Sequence, residues 1–449
     1  MPPSQRRSPV DPARLVAFEV LKAVRVEDAY TNLVLPTLLR KHGLSGRDAG
    51  FATELASGTI RWQGTYDAIL AACIDRPLRK VESKVLDALR LGAHQLLAMR
   101  VPTHAAISTT VDLVRDRVST GAAGFANAVL RKVAAQDLSA WVAQVGTDPA
   151  TAYSHPAWVV DELRVALNHD SGDDVELEAL LAADNAPPKV TLVARPGRST
   201  RAELPGEATA FSPYGVVLAG GDPGQVPAIA QGRAGVQDEG SQLVAIAAAA
   251  APIDGSDARW LDLCAGPGGK AALLAALADE RGARLVASER QVHRAQLVRR
   301  SLRGADGVLG VVAADGTAAP YRPGTFDRVL VDAPCTGLGA LRRRPEARWR
   351  RRPADLVELT VLQRRLVDAA LDLTRPGGIV LYATCSPVLA ETSGVVTAVL
   401  EGRTDVVLED AGPLLSDVTD AAGPLAGTVQ LWPHRHGTDA MFLALLRRG

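Results

Sequence analysis

Rings are scarce in this chain. Phe, Tyr and Trp together make up 4% of 449 residues, so the core has to be assembled from Ala, Val and Leu. Cysteine is scarce too. Cys73, Cys264, Cys335 and Cys385 stand far apart and form no CxxC pair. That excludes a disulfide framework and a zinc knuckle, and the expectation is a cytoplasmic protein with free thiols and no metal. No stretch of about 18 residues is apolar and uncharged, so no membrane-spanning helix is expected. The opening MPPSQRRSPVDPARL has basic residues with no apolar run behind them, unlike a signal peptide. An excess of either charge is missing: 50 Lys+Arg balance 50 Asp+Glu. This excludes a polybasic protein that holds nucleic acid by bulk charge, but not one with local charge at a groove. There is no repeat period despite 40 Gly and 28 Pro, which excludes collagen-like structure and long disorder.

What is present reads as an ordinary globular composition, 47% hydrophobic and 22% charged. The length allows about two to four domains. Three zones are expected. Residues 1–145 carry apolar residues at helical spacing, as at 15–24, 85–97, 107–118 and 125–133. Gly43, Gly64, Pro77, Pro102 and residues 121–124 break the pattern, giving a bundle of about seven helices. Residues 150–240 read as a small α/β connector, with an acidic helix start at 170–178, a Pro-rich joint at 185–188 and a strand at 189–194. Residues 241–449 open on an Ala-rich helix and then alternate strands with helices. Strands are expected at 259–264, 284–288, 308–313, 327–331 and 378–383, and helices at 269–278, 292–302, 353–373 and 392–400. That rhythm implies a doubly wound, Rossmann-like parallel sheet. A final apolar strand at 441–446 suits the methyltransferase variant of it.

The first strand of that sheet runs into LDLCAGPGGK, where Gly266, Pro267, Gly268 and Gly269 lead straight into a helix. Glycines there let the backbone approach a ligand, and the helix start offers free N–H groups. Glu289 ends the second strand, 23 residues after Gly266, an offset that suits the two hydroxyls of a ribose. Asp315 follows the third strand and Asp332 ends the fourth. Each acid alone can equally be a helix cap; together they line the carboxyl edge, where open α/β sheets bind ligands. The loop lacks GxGxxG spacing and has Lys270 where close helix packing wants a small residue, so a ligand without phosphates suits it better than NAD.

Two thiols share this edge. VDAPCTGLG puts Cys335 just past the fourth strand, and YATCSP puts Cys385 just past the fifth. A lone cysteine is usually a small buried hydrophobe, the reading for Cys73 and for Cys264, taken as strand-interior. The Gly/Pro-rich loops around Cys335 and Cys385 point instead to chemistry.

LDLCAGPGGK, VDAPCTGLG and ATCS, in this order, resemble the RNA (cytosine-5)-methyltransferases of the Fmu/Sun/RsmB group. LASGTIRWQGTYD at 55–67 and ANAVLRK at 126–132 resemble the NusB-like RNA-binding domain of the rRNA-modifying branch; SHPAWVV at 154–160 and VQDEGSQLVA at 236–245 resemble its connector. The resemblance implies S-adenosyl-L-methionine as cofactor, held by Cys264, Ala265, Gly266, Pro267, Gly268, Gly269 and Lys270, with Glu289 on the ribose, Asp315 at the adenine and Asp332 near the methionine end. It implies Cys385 as the nucleophile toward cytosine carbon 6. Cys335 would serve the later elimination, and Asp332 would bond the base near N3. Lys270 would stand at the reaction centre; on its residues alone it is equally a solvated first-turn lysine. Residues 191–196, TLVARP, and Ala440 and Met441 depart from the group's usual pattern.

LRRRPEARWRRRP follows the Cys335 loop and holds Arg342, Arg343, Arg344, Arg348, Arg350, Arg351 and Arg352 against Glu346 alone. One reading is a strip for an RNA backbone, with Trp349 free to stack on a base. The other is a solvated helix start. The expected partner is RNA, 16S rRNA first and tRNA second, with no membrane, and the expected state is a monomer. A non-catalytic RNA-binding assembly factor and an NAD oxidoreductase are the competing classes.

Overall fold

The computed structural model describes residues 10–167 and 174–449. The first nine residues and residues 168–173 lie outside the described residues, and with them the first part of the acidic helix start expected at 170–178; the described helix runs Val175–Asn185. Contacts divide the chain into two compact units. Among the described residues one comprises 10–160, 185–187 and 342–350, and the other the remainder.

The first unit is helical. Seven helices fall between Pro12 and Val133, and an eighth spans Leu138–Val145. Helix Pro12–Val26 shows how they form. Asp11 accepts from the Arg14 N–H at 2.9 Å and Pro12 occupies the first turn, two start signals that satisfy otherwise unpaired groups. Its Ala13, Val16, Ala17, Val20 and Leu21 are buried at spacings of three and four. Helix Ser83–Leu97 buries Val85, Ala88, Leu89, Leu91 and Ala93. Each such Val or Leu contributes about 1.5–3 kcal/mol of burial. A Cβ on Gly92 would sit 2.6 Å from Leu130 Cδ2, so Gly92 leaves room for Leu130 of helix Thr120–Val133 in its present position.

The second unit holds two sheets. The smaller comprises β1 (Thr191–Ala194), β2 (Gly206–Ala208), β3 (Gly215–Leu218) and β4 (Ala234–Val236), all antiparallel, in the order β2-β3-β1-β4. The larger comprises β5 (Arg259–Asp262), β6 (Arg284–Glu289), β7 (Val308–Ala313), β8 (Phe326–Asp332), β9 (Thr374–Thr384), β10 (Val406–Glu409), β11 (Val429–Gln430) and β12 (Phe442–Arg448). Its order is β10-β12-β9-β8-β5-β6-β7, with β11 on β12. Strands β5 to β9 pair in parallel, and β12 lies antiparallel to β9 and β10. This is a Rossmann-like methyltransferase sheet.

Because β6 lies on one side of β5 and β8 on the other, the strand order reverses at β5. The crevice opened there is where such sheets take ligands. Helix Gly269–Glu280, which leaves β5, is buried all round through Ala271, Ala272, Leu273, Leu274, Ala275, Ala276 and Leu277. Small side chains let it pack closely, which is how a core with few rings is filled. β5 ends at Asp262, two residues earlier than expected. Cys264 is therefore a loop residue and not strand-interior.

Candidate active site

The site forms where β5, β6, β8 and β9 end. Glu289, the last residue of β6, is almost wholly buried and accepts from the Gln291 N–H at 2.9 Å. Arg294 lies 3.6 Å from its Oε2 and donates to the Gly266 carbonyl at 2.7 Å. A Cβ on Gly266 would clash with Glu289 Oε2, so glycine there is a steric requirement of this acid. Gly268 has φ 113°, the left-handed region that favours glycine, and helix Gly269–Glu280 starts directly after it.

Lys270, in that helix's first turn, points into the site. Its Nζ donates to Asp332 Oδ2 at 2.9 Å and to Ser241 Oγ at 3.3 Å. Burial works against the ammonium, but Asp332, then Cys385 and Asp262, outweigh it and hold its pKa above the usual value. The solvated-lysine reading therefore fails. Asp262, at the end of β5, is fully buried with both carboxylate oxygens lacking a hydrogen-bond partner. Burial first, and Asp332 second, push it up to about 8.

Cys335 and Cys385 meet. Their sulfurs lie 3.4 Å apart, one from the loop after β8 and one from the residue after β9. The hydrogen bond to Cys385 and burial lift Cys335 well above the usual thiol range. Cys335 thus keeps its proton, and its sulfur is hydrogen-bonded to that of Cys385. Backbone ties hold the two loops together: Gly339 N–H donates to the Cys385 carbonyl at 2.9 Å, and Ala440 N–H donates to the Gly339 carbonyl at 2.8 Å. The departure at Ala440 thus lies on the Cys335 loop, whereas the Met441 carbonyl accepts from the Leu431 N–H at 2.8 Å and its side chain is in the core. Cys264 is raised by burial and then by Asp262, and Cys73 is buried in the helical core.

The family described as 16S rRNA methyltransferase RsmB/F matches residues 249–447, and the NusB family matches residues 11–135. Ribosomal RNA small subunit methyltransferase B of Pseudomonas syringae pv. tomato is 35% identical, over 96% of this chain and 96% of its own. The chain belongs to the RsmB/F methyltransferase family. Membership assigns it, coarsely, RNA methylation. Rv1407 of Mycobacterium tuberculosis, a candidate methyltransferase by name, is 52% identical, over 99% of this chain and 98% of its own. A solved structure titled PH0851 covers 99% of this chain and 100% of its own with a TM-score of 0.77; at 21% identity it speaks for the fold alone.

Other predicted residues of this RsmB/F member are placed differently. Asp315 Oδ1 accepts from the Thr317 N–H at 2.9 Å and its hydroxyl at 2.8 Å, bonds that lower its pKa. It caps a turn, the alternative each acid carried. The arginine run does not form a free strip. Residues 342–350 are part of the helical unit. Arg348 is fully buried and donates to the Ser154 carbonyl at 3.0 Å and Asn185 Oδ1 at 2.8 Å. Trp349 packs on the helical core and donates to the Ile60 carbonyl at 2.8 Å, so it is not free to stack on a base. Arg350 donates to the Ala29 carbonyl, pairs with Asp28 at 2.5 Å and covers the Tyr30 ring. Arg342 offers its carbonyl to Arg61, and Arg344 lies over Tyr30. Arg343 is half-buried, and Arg352 is the exposed member. Arg351 belongs to the second unit and donates to the Thr336 and Cys335 carbonyls at 3.1 and 3.2 Å. The physical reason is that guanidinium N–H groups can be satisfied by buried peptide carbonyls as well as by phosphates.

Sequence reasoning missed Asp262, Ser241, Arg294 and Gln237. The Gln237 side chain is buried against Gly269 with neither amide atom hydrogen-bonded. Gln237 and Asp262 are orphaned buried polar groups at the Gly loop, and Gly266 lets that loop's backbone lie against the Glu289 carboxylate. Both features fit a polar, nucleoside-type ligand. The signal available in the sequence was position: Asp262 ends a strand, and Gln237 precedes a helix cap.

Proposed function

We propose that this chain methylates carbon 5 of a cytosine in RNA, 16S rRNA first, with S-adenosyl-L-methionine as donor. The observation that carries it is the pair of thiols 3.4 Å apart beside the Lys270–Asp332 pair. Glu289, Gln237 and the loop at residues 264–270 are suited to the cofactor's nucleoside, and the names of the matched family and the Pseudomonas relative favour rRNA. The cofactor, when bound, supplies an electrophilic methyl group.

The chain's own residues do the rest. Cytosine carbon 5 is a weak nucleophile until a thiolate adds at carbon 6 and makes it enamine-like. Cys385 is that thiolate: Lys270 stabilises negative sulfur, and Cys335 donates a hydrogen bond to it. Asp332, bonded to Lys270, would hold the base. Once Cys385 sulfur is bonded to carbon 6 it is neutral, and the largest cause of the raised Cys335 pKa disappears. Cys335 then loses its proton to solvent and becomes the base. It takes the proton from carbon 5 as the carbon 6–sulfur bond breaks, which frees the methylated base and returns Cys385 as a thiolate. The two roles thus follow in time from one electrostatic coupling.

The test uses two variants with labelled cofactor and unmodified rRNA. Cys385→Ala should abolish methyl transfer and any covalent complex. Cys335→Ala should trap a protein–RNA adduct that survives denaturation. Equal, adduct-free inactivity in both variants would sink the assignment.

A further inference from the structure

Glu391 has zero exposure and sits outside the reacting groups. Among the described residues no Lys, Arg or His forms an ion pair with it. A buried carboxylate is costly unless its oxygens are satisfied. Here every donor belongs to the Cys335 loop or holds it. Oε1 accepts from the Thr336 N–H at 2.8 Å and from Gln363 Nε2 at 3.0 Å. Oε2 accepts from the Thr336 hydroxyl at 2.5 Å. The same Gln363 amide donates to the Pro334 carbonyl at 2.9 Å.

Arg351 completes the arrangement from the other side, on the Cys335 and Thr336 carbonyls. The Thr336 hydroxyl also meets Ser386 Oγ at 3.2 Å, and Ser386 follows Cys385. Glu391 is tied to β9 by Tyr382, whose hydroxyl donates to the Glu391 carbonyl at 2.7 Å. Residues 334–336 are therefore bonded at Pro334 O, Cys335 O, Thr336 N and Thr336 O, all to side chains. A loop whose polar backbone is met by side chains instead of a sheet has its position set by those side chains. The bland alternative, that Glu391 only anchors the start of helix Ser393–Gly402, does not explain why its carboxylate turns to Thr336 and Gln363.

We infer that Glu391 and Arg351 are positioning residues for Cys335: they hold its sulfur where it can reach the carbon-5 proton of the Cys385-bound base. The inference rests on the function proposed above. Because the proton abstraction by Cys335 comes after the methyl has moved, and Lys270 also stabilises the Cys385 sulfur, loosening the Cys335 loop should slow release of the product far more than formation of the adduct. A residue of merely structural role would depress both together.

Full-length Glu391→Gln and Arg351→Met are compared with wild type and Cys335→Ala on unmodified rRNA. First-turnover methyl incorporation, steady-state turnover, denaturation-resistant adduct and melting temperature are read in each. For Glu391→Gln, first turnover should stay within about threefold of wild type, while steady-state turnover falls roughly 100-fold, the scale of an ångström misplacement, and adduct accumulates. Arg351→Met should show the same split, and it carries the test if Glu391→Gln does not fold, since the Arg351 side chain is 28% exposed. Equal loss of first and later turnovers without adduct overturns the inference, and so does unchanged turnover. Adduct in Cys335→Ala but in neither positioning variant rejects the inference alone. No adduct in Cys335→Ala rejects the proposed function and the inference with it.

Discussion

Replacing Asp262 with asparagine should change how stability depends on pH. The Asp262 carboxyl is pushed up to about 8 in the folded protein, against 3.8 for a free aspartate. Between those values the unfolded chain has released the proton and the folded one still holds it. Folding then binds a proton, so stability falls as pH rises, by about 1.4 kcal/mol per pH unit. From pH 5 to 8 the loss is about 4 kcal/mol, a large share of a typical 5–15 kcal/mol total. Asparagine has nearly the same shape and cannot ionise. Whatever Asp262→Asn costs or gains at pH 5, the difference between variant and wild type should move in the variant's favour by that amount at pH 8. Urea unfolding of both proteins at pH 5, 6, 7 and 8, in one buffer system of constant ionic strength, measures it. Other carboxylates shape both curves alike and cancel in the difference. A difference that stays flat across the range would refute the picture of a buried, protonated aspartate beneath the Lys270–Asp332 pair.

Two further outcomes follow from the geometry. Gly266→Ala drives a methyl into Glu289 Oε2; binding of S-adenosyl-L-methionine, measured by calorimetry, should weaken at least about tenfold, the equivalent of roughly 1.4 kcal/mol, with little change in melting temperature. Arg348→Met strands the Ser154 carbonyl and Asn185 Oδ1, which the buried guanidinium now satisfies. It should destabilise the helical unit by about 3 kcal/mol, read as a lowered melting temperature, yet leave the salt dependence of RNA binding below the transition unaltered.

Much of the sheet was legible because its signals are local and redundant. The strand expected at 308–313 is β7 to the residue, and helix Pro353–Leu373 starts at the proline that announced it. Strand ends followed from the same pattern, so the edge shared by Glu289, Asp332, Cys335 and Cys385 could be assembled before any coordinates. Register and order were not legible. Which strands flank β5 decides where the crevice opens, and that depends on pairing between segments more than 60 residues apart, such as Trp260 with Arg328. Asp262 escaped notice for a related reason. In sequence it is one more acid at a strand end; only three-dimensional burial beside Lys270 and Asp332 makes it unusual.

The arginine run shows the converse limit. Seven arginines in thirteen positions state an amount of charge, not a direction. A phosphate and a peptide carbonyl both present oxygen lone pairs to a guanidinium, so composition cannot distinguish an RNA strip from an internal clasp. The distinguishing information lies in the partners: Asp28, Ala29 and Ile60 from the start of the chain, Ser154 and Asn185 from its middle. None of these pairs has a local sequence signature. Arg348 and Arg350 are committed inside the helical unit and Arg351 to the Cys335 loop, so the run cannot be counted as a free positive surface hidden by the overall neutrality. If RNA binding proves salt-sensitive, the responsible charges must lie elsewhere than at Arg348, Arg350 and Arg351. Neutralising Arg351 should then alter release of product more than affinity, the opposite of what a backbone-binding arginine would do.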